Sequence, residues 1–185
     1  MNNSTIMSSL TSKFHAWKAA GLPSMSTRKS QELAAQVDLG VLDGLLSFYV
    51  RVFEIAVSRH LDDRLAPLGF TGRKGTISSL LLIARHAGIR PTTISTLLGI
   101  DKSITVKTVD ELRRAKLVTR RSAADDKRAQ ELFVTPEGAA LADKVETLIV
   151  AHSDEFFAGL MTREEHDIVV NIFRKAFNRL REVGE

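Results

Sequence analysis

The chain has 185 residues, about one domain's worth, and 44% of them are hydrophobic, enough to bury a core and too many for a disordered chain. It has no cysteine, which excludes a disulfide framework, a thiolate nucleophile and a thiol redox switch. The net charge of +4 is unevenly placed: Thr71 to Thr135 carry 13 Lys/Arg against 6 Asp/Glu (+7), and the remainder 13 against 16 (−3).

The amino terminus, rich in Ser and Thr, has neither a basic leader nor an apolar stretch. Residues 1–36 read as a flexible extension with short helices near Lys13–Ala20 and Arg28–Gln36, and carry no visible chemistry. From Val37 to Leu65 the residues Leu42, Leu45, Leu46, Tyr49, Val52, Phe53, Ala56 and His60 recur at three- and four-residue steps, which predicts one long helix. Pro67-Leu68-Gly69 closes it. A second helix, Lys74 to His86, is expected to bury Ile77, Leu80, Leu81 and Ala84. The longest apolar run, Leu80 to Ala84, is too short for a bilayer, so a soluble cytoplasmic protein without membrane contact is expected.

Pro91 opens a third helix that ends at Leu98, and Gly99 makes the turn. Asp101 is expected to cap a fourth helix through its carboxylate, with Val109 and Leu112 anchoring that helix to the core. Leu117–Arg121 and Gln130–Val134 read as two strands around the polar loop SAADDKR. Thr135-Pro136-Glu137 caps a fifth helix with the stripe Leu141, Val145, Leu148, Ile149, His152 and Phe156. Thr162-x-x-Glu165 is a capping box opening a last helix with Ile168, Val169, Ile172, Phe173, Ala176, Phe177 and Leu180.

The fold class that follows is mainly α with a small β-hairpin wing. A winged helix-turn-helix domain spans 71–135, flanked by dimerisation helices over 37–66 and 136–182. Two crossed helices followed by a cationic ribbon suit duplex DNA, the second helix entering the major groove and the ribbon tip the minor groove. Lys102, Ser103, Val106 and Lys107 are then the candidates for base edges and phosphates, with Asp110 one turn further. Thr92 and Thr93 are placed for phosphate bonds. At the ribbon tip, Lys127 and Arg128 meet the minor groove and Asp126 orients the Arg128 guanidinium. A catalytic pair in Asp125 and Asp126 is a poor alternative, because neighbours on an exposed turn are neither desolvated nor set across a substrate.

The segment IDKSITVKTVDELRRAKLVTRRSAADDKRAQELFVTPEG, above all Asp126-Lys127-Arg128 and Phe133-Val134-Thr135-Pro136-Glu137-Gly138, resembles the MarR family of winged helix-turn-helix transcription regulators. The resemblance covers roughly residues 37–182. It implies a homodimer on a pseudo-palindromic operator, usually repressing, and a small anionic, often phenolic, ligand between the dimerisation helices and the reading domain. The family's wing-tip arginine corresponds to Arg128 and its aspartate to Asp126. Thr105 and Thr108 depart from the family pattern, standing where relatives usually carry apolar residues, and Ser95 stands where Ala is common.

The expected effector is therefore a small aromatic or phenolic acid, with Tyr49, Phe53, His60, Arg64, Arg85 and His86 as candidate contacts. No cofactor and no metal site are expected, since none of His15, His60, His86, His152 and His166 forms a tight ligand pair at helical spacing. No nucleophile–base signature, phosphate loop or metal motif points to an enzyme. A winged-helix protein-interaction module and a metal-responsive regulator are the alternatives.

Overall fold

The computed structural model describes residues 32–34, 36–69, 75–122 and 129–182. The expected helix at Lys13–Ala20 lies outside them, as does most of the one near Arg28–Gln36, of which 32–34 are helical. The chain divides into two compact units, one formed by residues 1–60 with 151–185 and the other by 61–150.

The element order is α1 (Leu46–Leu65), α2 (Thr76–Arg85), α3 (Pro91–Leu98), α4 (Lys102–Arg114), β1 (Val118–Ser122), β2 (Gln130–Val134), α5 (Pro136–Ala158) and α6 (Arg163–Glu182). A 3-10 turn, Gly40–Gly44, precedes α1, and another, Ala66–Leu68, follows it. The long first helix expected from Val37 is thus shorter and begins at Leu46. Gly40 lies at φ 54° with its N–H bonded to the Asp38 carboxylate, and Leu45 is extended (φ −101°, ψ 111°), so the apolar spacing crosses a break that periodicity alone does not register. Twenty residues of helix measure about 30 Å.

In the second unit the core is Leu80, Ile83, Ile94, Val109, Leu112, Val118, Leu132 and Ala142, all buried. On α2 the buried stripe is Thr76, Ser79, Leu80 and Ile83; Ile77, Leu81 and Ala84, expected at the centre, are only partly buried. α3 starts where Pro91 follows the extended Arg90 and stops where Gly99 turns left-handed at φ 61°. The strands pair antiparallel with Val118 opposite Val134 and Ser122 opposite Gln130, and Ile89 adds one bridge to Leu132. β1 begins one residue later than expected, because the Leu117 N–H is taken by the Leu112 carbonyl at the end of α4.

Three contacts join the wing to α5. The Thr135 hydroxyl accepts from the Gly138 N–H (3.0 Å), so Thr135 is the N-cap of α5, and it donates to the Lys116 carbonyl (2.8 Å). The Thr135 N–H donates to the Leu117 carbonyl (3.0 Å). Glycine is required at 138, since a Cβ there would overlap the Leu117 carbonyl oxygen.

In the first unit the expected capping box is present: the Glu165 N–H donates to the Thr162 hydroxyl (3.2 Å) and the Thr162 N–H to the Glu165 carboxylate (2.8 Å). His60 and His152 are buried with ring centroids 4.8 Å apart, and Phe156 lies against both. The apolar stripe of α6 is left open to solvent by the described residues. Ile168, Val169, Ile172, Phe173 and Phe177 are 41–58% exposed and Leu180 75%. No helix among the described residues is long and apolar enough to cross a membrane.

Candidate nucleic-acid interface

The rotation of α4 decides which side chains can reach a ligand. Thr105, Thr108, Val109 and Leu112 are buried, an i, i+3, i+4, i+7 stripe that locks one face onto the core. Two of the four are threonines, and at Thr105 the polar atom is accommodated locally, its hydroxyl donating to the Asp101 carbonyl (3.2 Å) one turn back. Ser95 is handled in the same way: buried on α3, it donates to the Thr92 carbonyl (2.8 Å). The Ser95 and Thr105 hydroxyls are thus satisfied within their own helix or its cap.

Lys102, Ser103, Val106 and Lys107 all fall on the exposed face of α4, and Thr92 and Thr93 are exposed in the first turn of α3. One expectation is corrected. Asp101 is the N-cap residue, but its carboxylate makes no capping bond; its backbone carbonyl instead receives the Thr105 N–H (2.9 Å) and hydroxyl. The carboxylate stays exposed.

Asp110, in line with the reading face, accepts from Arg120 of β1 (3.2 Å) and from Arg113 one turn on (3.4 Å). An acid turned toward phosphates would repel them; paired with two guanidinium groups it joins a net positive surface. Arg113, Arg114, Thr119 and Arg120 line a cleft beside it. On the wing, the Arg121 guanidinium lies over the Phe133 ring, 4.5 Å from its centroid. Sequence reasoning passed over these four arginines because their grouping arises where α4 meets β1. The wing-tip residues Asp126, Lys127 and Arg128 lie outside the described residues.

The candidate effector residues belong to both units. In the first, Tyr49 and Phe53 are about one-third exposed, one turn apart on α1, and His60 is buried in the ring stack. The Tyr49 hydroxyl donates to Asp43 (2.7 Å), and this bond to a carboxylate raises its pKa above the usual 10.0. In the second, Arg64 is half-buried, His86 is exposed at the end of α2, and Arg85 pairs with Glu146 of α5. Among the described residues no group of three or more His, Cys, Asp or Glu is placed to hold a metal ion.

Residues 68–129 match the model of the MarR family. A candidate transcriptional regulatory protein for the hcr operon of Thauera aromatica is 26% identical over 148 residues, 77% of this chain and 88% of that protein. The transcriptional repressor YetL of Bacillus subtilis is 28% identical over 153 residues, 80% and 87% of the two chains. The repressor CouR in complex with a 23-mer DNA duplex superposes with a TM-score of 0.67 at 23% identity, covering 76% of this chain and 98% of CouR. CouR from Rhodococcus jostii RHA1 bound to p-coumaroyl-CoA gives 0.64 at 27% identity, with 76% and 94% covered. Residues 68–129 thus carry a region similar to the MarR family, the fold is that of a MarR-like winged helix-turn-helix protein, and the curated relatives that resemble this chain are transcriptional regulators.

Proposed function

We propose that the chain acts as a homodimeric repressor on a pseudo-palindromic operator and leaves it when a small aromatic acid binds. The observation that carries the dimer is the exposed apolar stripe of α6, seven large side chains in 20 residues that the described residues leave open to solvent. Exposed apolar surface on that scale marks an interaction site, and a helix offering the same face on every copy suits an isologous two-fold contact. Two copies then present two α4 helices, and a symmetric pair of readers calls for a symmetric site.

On the operator, Lys102, Ser103, Val106 and Lys107 meet base edges and phosphates, Thr92 and Thr93 meet phosphates, and Lys127 and Arg128 enter the minor groove with Asp126 orienting Arg128. Repression is supported by YetL and CouR, both described as repressors. An effector with an aromatic acyl group is supported by CouR, which binds p-coumaroyl-CoA. For such a ligand, Tyr49, Phe53 and His60 offer ring surface, and Arg64, Arg85 and His86 offer positive charge for a carboxylate or a thioester's phosphates.

The test is a thermal-shift screen of hydroxylated aromatic acids and their CoA thioesters, followed by gel-shift titration of a bound duplex with every compound that stabilises the protein. A compound that raises the melting temperature and dissociates the duplex is the expected result. Dissociation by none of either class would overturn the effector reading and leave DNA binding standing.

A further inference from the structure

In the unit of residues 61–150 the large hydrophobic side chains are withdrawn from solvent with three exceptions among the described residues: Ile104, Val106 and Val150. Val150 is the unit's last residue. The other two stand in the first two turns of α4, 45% and 47% exposed. Single exposed apolar side chains are ordinary on any surface. Here two of them occur in the first two turns of one helix, on opposite flanks of its exposed face, in a unit whose other described large apolar side chains, Val150 apart, are at least partly buried, and they fall on the segment that carries Lys102, Ser103 and Lys107.

The surroundings decide what such a pair can meet. The uncovered face of the other unit is a long stripe suited to a second copy. Ile104 and Val106 are two separate side chains flanking a face that carries two lysines and a serine, too small and too cationic a face for a protein interface core. The floor of the DNA major groove matches it. There the base edges present acceptors and donors for Lys and Ser, and one apolar group, the thymine 5-methyl.

We infer that Ile104 and Val106 read thymine methyl groups, so that each operator half-site places thymines beside the bases or phosphates held by Lys102 and Lys107. This inference rests on the reading of α4 as the helix that enters the groove. Burying one methyl-sized group changes affinity about fourfold.

The experiment begins by enriching duplexes from a random pool on the full-length protein. The enriched duplex is then synthesised with deoxyuridine in place of thymidine at one position at a time, which keeps base pairing and removes only the methyl. A loss of about fourfold is expected at one or more positions in each half-site. Ile104→Ala and Val106→Ala, both at exposed positions outside the core, should each lose that discrimination at their own position while keeping the wild-type circular dichroism spectrum. Equal binding of the uridine and thymidine duplexes throughout, or full discrimination retained by both variants, would overturn the inference and leave sequence-specific binding in place. If no sequence is enriched, the groove-reading role of α4 falls, and this inference with it.

Discussion

Asp110 of α4 and Arg120 of β1 are bonded at 3.2 Å, tying the helix proposed to read DNA to the first strand of the wing. Both side chains are partly exposed, 38% and 25%, so the pair adds little to stability, under about 1 kcal/mol. Its consequence is orientation and charge. Asp110→Asn frees Arg113 and Arg120 from a counter-ion on the side proposed to face DNA. Binding to random duplex should strengthen, the slope of log affinity against log salt should steepen by about one, and preference for the enriched sequence should fall. Gel-shift titration at several salt concentrations measures all three, and an unchanged slope would show that the two arginines do not face phosphates.

Lys116 lies at φ 60°, the non-glycine residue with positive φ among those described, at the turn that ends α4. The left-handed conformation costs a side-chain-bearing residue about 1–2 kcal/mol, partly offset by the greater freedom glycine has when unfolded. Lys116→Gly should therefore stabilise the chain by roughly 0.5 kcal/mol. Denaturant titration checks this, with destabilisation as the contrary result.

The Thr135–Gly138 joint should be far less tolerant. Thr135→Val removes the N-cap of α5 and the bond to the Lys116 carbonyl, at a cost of about 1–2 kcal/mol. Gly138→Ala sets a methyl on the Leu117 carbonyl and should cost about 1–3 kcal/mol by overpacking. Because the joint adjoins the start of β1, both variants should lose duplex affinity more than circular dichroism signal. Wild-type melting for Gly138→Ala would contradict the close approach.

Much of the fold was legible because local chemistry marks the ends of its elements. Pro91 and Gly99 bound α3 to the residue, and Thr162 and Glu165 form the reciprocal cap that their spacing announces. Where a boundary depends on which partner wins a backbone group, the sequence is silent. Leu117 looks like a strand residue, yet its N–H completes the end of α4, and Asp101 looks like a side-chain cap, yet Thr105 bonds to its carbonyl. The break at Gly40–Leu45 was hidden for a similar reason: Leu42, Leu45 and Leu46 keep helical spacing while the backbone between them does not. The Asp110–Arg120 pair joins residues ten apart on different elements, and Ile104 differs from a core residue only in the direction α4 turns it.

Phe173, 46% exposed on α6, offers the sharpest probe of whether that stripe is an interface. Phe173→Glu puts a charge into a contact that needs desolvation and should split a dimer while leaving the single chain folded. Duplex affinity should fall by more than a hundredfold if two readers act together, about the gain that linked binding confers.

The most direct measurement is light scattering of the full-length chain at micromolar concentration, alone and with the enriched duplex. Two 20.4 kDa chains per particle, free and on DNA, is the predicted result, with Phe173→Glu reduced to one. A wild-type mass of a single chain that still binds the duplex with full sequence preference would contradict the paired scaffold.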